Sequence, residues 1–196
     1  MMMGPQSTSV PRLIAFLRAI NVGGHTVKMD HLRQLFESLG FLNVETFIAS
    51  GNVIFESPVG NDQVLEQQIA SHLHESLGYA VATFIRSVSE VADIANYQPF
   101  AASELKDSAL YIAFLPAPPN GEAQQKLMAF RTPLDDFHVH GREIYWLCRT
   151  RSSDSAFSGA LLEKTIGMPA TMRNSTTVRK LAAKYTGSAF ESTLRM

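Results

Sequence analysis

Two cationic side chains, Arg18 and Lys28, bracket a stretch that begins Arg18-Ala19-Ile20-Asn21-Val22-Gly23-Gly24, and together they have the makings of an anion site. Adjacent glycines allow consecutive N–H groups to turn toward one point, and a helix starting just beyond them adds a favourable dipole. Asn21 brings both a donor and an acceptor. The plainer alternative is that Gly23 and Gly24 only permit a turn. The stretch is neither a phosphate loop nor a dinucleotide-binding glycine motif, so no cofactor is implied.

Two further groups have similar chemistry. Ser50-Gly51-Asn52 is a small polar turn, and Arg173-Asn174 leads into Thr177, Lys180 and Lys184, which share one face of a helix. The alternative for the last group is an ordinary amphipathic helix with a solvated cationic side. His138 and His140 alternate along one strand face but lack a third nearby ligand, so no metal is expected. Cys148, beside Trp146 and Leu147, reads as core rather than nucleophile. Ser50 has no base that the sequence can place next to it, so no catalytic triad can be argued.

The elements that must position these groups come from the apolar patterning. Leu13 to Leu17 is a buried-strand run, and Met29, Leu32, Leu35, Phe36 and Leu39 fall on one face of a helix ending at Gly40. The loop between them, Arg18 to Lys28, is long for such a connection. Val44–Ala49 and Val53–Glu56 read as a hairpin. A helix at 64–77, a strand at 79–85 and a helix opened by the Ser87/Glu90 capping box complete a first unit.

The pattern then restarts. Ile14-Ala15-Phe16-Leu17 recurs as Ile112-Ala113-Phe114-Leu115, 98 residues on, and the first hairpin has a counterpart at 137–145, offset by 90. That alignment sets Ser50 against His140 and Asn52 against Arg142. A helix at 121–130, a helix at 156–166, a strand at 170–172 and a helix at 175–185 follow. The fold expected is α+β, a tandem duplication of a ferredoxin-like β-α-β-β-α-β unit with antiparallel sheets. Its parts are a tail at 1–10, a first half at 11–98, a second half at 106–186 and a C-terminal tail at 187–196. The first strand of each half is apolar on both faces, whereas helices can cover only one. The other half or a partner subunit must cover the rest.

At 196 residues and 45% hydrophobic content the chain can build a real core, and a net charge of −1 excludes a generally basic nucleic-acid coat. One cysteine suits a reducing compartment, and no apolar run reaches membrane-spanning length, so a cytoplasmic protein is expected.

Leu17-Arg18-Ala19-Ile20-Asn21-Val22-Gly23-Gly24, Val27-Lys28-Met29, Ser50-Gly51-Asn52-Val53 and Thr171-x-Arg173-Asn174-x-x-Thr177-x-x-Lys180-Leu181 together resemble the bacterial domain of unknown function 1697. The resemblance spans about Arg12 to Leu181, with Ala19 where the family more often has Gly. It implies a duplicated ferredoxin-like layout and no established activity. It also selects Arg18, Asn21, Gly23, Gly24, Lys28, Ser50, Gly51, Asn52, Arg173, Asn174, Thr177 and Lys180, a set that core packing does not ask for.

Three classes of function follow: a binder of an anionic small molecule or nucleic-acid phosphate, an enzyme on a phosphorylated or carboxylated substrate, or a structural protein whose motif residues hold the halves together. The sharpest expectation is convergence. A cationic cleft lined by Arg18, Asn21, Lys28, Ser50, Asn52, Arg173 and Lys180 would hold an anion of phosphate size.

Overall fold

The computed structural model describes residues 10–21, 23–58 and 60–193, and nearly all of the tail expected at 1–10 lies outside the described residues. The first half runs β1 (Arg12–Leu17), α1 (Met29–Ser38), β2 (Leu42–Thr46), β3 (Asn52–Glu56), α2 (Asp62–Leu77), β4 (Thr83–Ser87) and α3 (Val88–Asn96). The second repeats that order with β5 (Ala109–Phe114), α4 (Gly121–Met128), β6 (Asp135–His140), β7 (Glu143–Cys148), α5 (Gly159–Ile166), β8 (Thr171–Asn174) and α6 (Ser175–Thr193). The described residues thus form two similar α+β halves. Each holds a four-stranded antiparallel sheet, in the orders β2-β3-β1-β4 and β6-β7-β5-β8.

Each sheet buries one face under its own helices. Leu13, Ala15 and Leu17 of β1 pack with Leu32 and Phe36 of α1 and Leu65, Ile69 and Leu73 of α2. Ala113, Ile144 and Trp146 pack likewise with Leu127 of α4 and Leu162 and Ile166 of α5. The opposite faces meet each other. Ile14, Phe16, Ile54 and Phe84 share one cluster with Ile112, Phe114 and Tyr145, and the Phe16 and Phe114 rings stack with centroids 3.8 Å apart. Helices α3 and α6 pack together and send Val91, Ile94, Val178 and Leu181 into the same cluster. The apolar first strands are therefore covered by the other half of the chain, one of the two solutions open to the sequence.

Local chemistry explains several boundaries. Ser87 and Glu90 form both bonds of the expected capping box, and Gly78 and Gly167 end α2 and α5 in the left-handed conformation. Other limits differ from the sequence reading. Strand β4 begins at Thr83 rather than 79, opposite Leu17, where its pairing partner β1 ends. Strand β8 extends to Asn174, which makes Arg173 a strand residue, and α6 continues to Thr193 where a tail was expected from 187.

The hairpins also differ. The second turns through Gly141-Arg142 alone, whereas the first loops from Phe47 to Gly51 and leaves Asn52 as the first residue of β3. Pairing with the central strands then fixes which residues correspond. Phe16 faces Asn52 and Phe114 faces Glu143, an offset of 143 − 52 = 91, so the expected offset of 90 is one residue short. Asn52 corresponds to Glu143 and Gly51 to Arg142. Ile14 faces Arg86 and Ile112 faces Arg173, so those two arginines correspond as well.

Candidate functional site

Arg173 stands on the face of β8 that meets the other sheet. It is 8% exposed, and every one of its N–H groups finds an acceptor. Nε donates to Asn52 Oδ1 at 2.6 Å. One terminal nitrogen donates to Thr171 Oγ1 and the Met172 carbonyl, and the other to the carbonyls of Leu17 and Gly51. None of these acceptors is a carboxylate. Burial of a charge without a counter-ion pushes the Arg173 pKa down to about 10, so the side chain is still cationic at neutral pH.

Asn52 is fully buried and joins this socket to the hairpin, its amide donating to the Phe47 carbonyl and Ser50 Oγ. Gly51 is there for space as well as conformation. Its φ is +71°, and a Cβ would lie 2.9 Å from Ile20 Cβ. Asn21 ties the long loop to the hairpin, donating to the Ala49 carbonyl and accepting from Val27 N–H. The three sequence blocks do converge.

Beside the socket lies a cleft of about 600 Å³, within the usual range for small-molecule sites. Arg18, Asn21, Ser50, Arg173, Asn174 and Thr177 line it. Asn174 accepts from Thr176 N–H and so opens α6 at the cleft wall, while Thr177 Oγ1 has no hydrogen-bond partner among the described residues. Arg18 is held by Glu163 of α5 in a two-pronged ion pair of 2.7 and 2.8 Å. Glu163 also accepts from Ala170 N–H.

The expected lining is corrected in three respects. Lys28 and Lys180 are exposed and outside it, the first at the far end of the loop and the second one turn further along α6. Gly23 and Gly24 have φ of +62° and +88°, as an anion-cradling loop would need, but they too are exposed away from the lining. Asn52 and Gly51 lie behind the wall, not on it. Two cations, Arg18 and Arg173, therefore face one carboxylate, Glu163.

Sequence reasoning missed Glu163, Ile48 and Arg86. Arg86 fills the equivalent socket across the sheet interface, with Nε on Glu143 Oε1 at 2.7 Å and its other nitrogens on the carbonyls of Ile85, Leu115 and Arg142. The available signal was the arginine within an otherwise apolar strand, Phe84-Ile85-Arg86. His138 and His140 are occupied by Tyr97, the first through a 2.8 Å hydrogen bond and the second by ring stacking. Buried Cys148 donates to the Thr150 carbonyl, and burial pushes its thiol pKa up. No described helix is long and apolar enough to cross a membrane.

Comparison with known proteins places this geometry. No curated protein matches the chain in sequence. The conserved bacterial protein SP0830 from Streptococcus pneumoniae has a similar structure, with a TM-score of 0.66 at 21% identity over 91% of this chain and 99% of that one. That likeness extends to the fold alone. The pattern of the proteins of unknown function DUF1697 matches residues 10–145, which take in the Arg18 loop and the Ser50-Gly51-Asn52 turn and stop short of Arg173. The chain belongs to the DUF1697 family.

Proposed function

We propose that this protein binds an anionic small molecule, a phosphate or carboxylate, in the cleft between the Arg18 loop, the hairpin and α6. The observation that carries this reading is a difference between the two arginine sockets. Around Arg86, Glu143 neutralises the guanidinium, and Arg142 bridges Glu90 and Asp62 over it. At the corresponding places around Arg173 stand Asn52, Gly51 and Thr177. Counter-charge and bulk are absent together, which leaves an open cleft over an unneutralised cation. The N-terminus of α6 adds to the positive field there.

Because Arg173 has committed all its N–H groups, it acts on the ligand through charge, and Arg18, Thr177 and the Asn174 amide supply the hydrogen bonds. A ligand anion would compete with Glu163 for Arg18. We read the two halves as copies of one ferredoxin-like unit, and the open site as lying at one of the two equivalent seams between them. The cytoplasm, as a reducing compartment, fits the single buried cysteine.

Asn52→Asp tests the reading, because it places a carboxylate on Arg173 as Glu143 is placed on Arg86. Inorganic phosphate and a panel of phosphorylated metabolites should bind the parent protein, weaken as salt is raised, and bind Asn52→Asp about tenfold less tightly, a loss of ~1.4 kcal/mol, in calorimetric titration. Equal affinity in both proteins would refute it. A second reading, that these residues only lock the halves together, draws on the mutual bonding of Arg173, Asn52 and Leu17, and it predicts no anion binding by either protein.

A further inference from the structure

We propose that the ligand of this cleft is an organic acid with an aliphatic body, and that Ile48 is the residue that reads that body. This rests on the anion-binding reading and adds the ligand's second half. Apart from its polar residues the wall is largely aliphatic, with Leu17, Ile20, Ala160, Ala170 and Met172 lining it. Nucleic-acid sites that stack bases use aromatic walls, so this composition suits an alkyl group better than a base.

Ile48 lines the same cleft, and two features set it apart. It is 53% exposed although it is a large aliphatic residue on the cleft. Its φ is +50°, a left-handed conformation that β-branched residues avoid at a cost of about 1–2 kcal/mol. The strain is not isolated. Ala19 at φ +63° and Asn21 at +55° line the same cleft. Backbone held in such conformations gathers where a side chain must be presented to a ligand. At position 48 an Asn would relieve the strain, yet the chain keeps an isoleucine there and leaves half of it in water. An alkyl group lying between Ile48 and Met172, with its acid group toward Arg18 and Thr177, would cover that surface.

The experiment is a series of titrations with acetate, butyrate, hexanoate, butyl phosphate and inorganic phosphate, against the parent protein and Ile48→Asn. In the parent, each added methylene should tighten binding up to about fourfold until the wall is covered. The carboxylate and phosphate arms show which acid group the site prefers. In Ile48→Asn, which is compatible with the local backbone, that dependence on chain length should flatten, read within each protein as the ratio of hexanoate to acetate affinity. If the parent binds phosphate with salt-sensitive affinity but gains nothing from added methylenes, the aliphatic body is refuted and the anion site stands. If the chain-length dependence survives undiminished in Ile48→Asn, the role of Ile48 is refuted. If no anion binds at all, the underlying site is refuted with it.

Discussion

Arg86 and Arg173 occupy matching places on two similar sheets, each reaching across to a carbonyl at the end of the other half's first strand, Leu115 just past β5 for one and Leu17, the last residue of β1, for the other. Around Arg86 the charges close: Glu143 is within 2.7 Å, and Arg142 spans to Glu90 at 3.0 Å. Around Arg173 the same backbone frame holds an amide, a glycine and a threonine. The shared part, an arginine satisfying strand-end carbonyls across the interface, is architecture. The unshared part is the counter-charge, and it is present on one side only.

The largest effect expected from breaking this comparison comes from the arginines themselves. Arg86→Met should cost about 3–5 kcal/mol in urea denaturation, because it strands the buried Glu143 carboxylate. Arg173→Met should cost somewhat less, about 2–4 kcal/mol, since it strands neutral acceptors. A reversed order would mean that Arg173 has an ionic partner after all.

Gly51→Ala adds only one methyl toward the bulk that Arg142 has on the other side. With φ at +71° and a Cβ meeting Ile20, it should destabilise by about 2–4 kcal/mol by the same measurement. Ala19→Gly acts in the other direction. It removes a left-handed alanine and should stabilise by ~1 kcal/mol, raising Tm by about 2–4 °C in a calorimetric scan.

The smallest effect contrasts the buried sockets with a surface tie. Partial burial opposes ionisation of Glu45, but hydrogen bonds from Lys184 and Tyr185 and the charge of Arg12 outweigh it and hold its pKa below 4.5. A depressed carboxylate contributes stability above its unfolded pKa and loses it as pH falls through the folded value. Below pH 4.5 this link between β2 and α6 should fade, by less than about 1 kcal/mol given the exposure of Glu45, and Glu45→Gln should abolish that part of the acid sensitivity.

Much of the frame was legible because it is local. The Ser87/Glu90 capping box, the glycine end of α2 and the doubly apolar β1 all announce themselves within a few residues. The meeting of Asn21 and Ser50 was legible for a topological reason, since loop and turn share one end of a sheet, whereas topology allowed but did not require Arg173 to join them, and it does so because the halves pack with those ends adjacent. The sockets were not legible. An arginine between Ile85 and Ser87 reads as a side chain on an open sheet face, and only the second sheet turns that face into an interior. Glu163 was missed because nothing local to α5 tells which carboxylate will meet Arg18, 145 positions away. The one-residue error between hairpins came from treating Ser50-Gly51-Asn52 and His140-Gly141-Arg142 as equal turns, when one loop is longer.

The stacked Phe16 and Phe114 have a consequence for how the chain must be assembled. Either half alone would show the aromatic and aliphatic face that the other now covers, along with a strand-end carbonyl lacking its arginine. Two first halves from different molecules could satisfy each other in the same geometry, Arg86 of each meeting Asn52 of the other. What discourages such exchange is the connection through residues 97–108, which holds the two faces at a high effective concentration for each other. Shortening that tether until the two faces can no longer meet within one chain should drive the protein to interlocked dimers, whereas a flexible insert, whose closure cost grows only slowly with length, should leave the pairing within one chain.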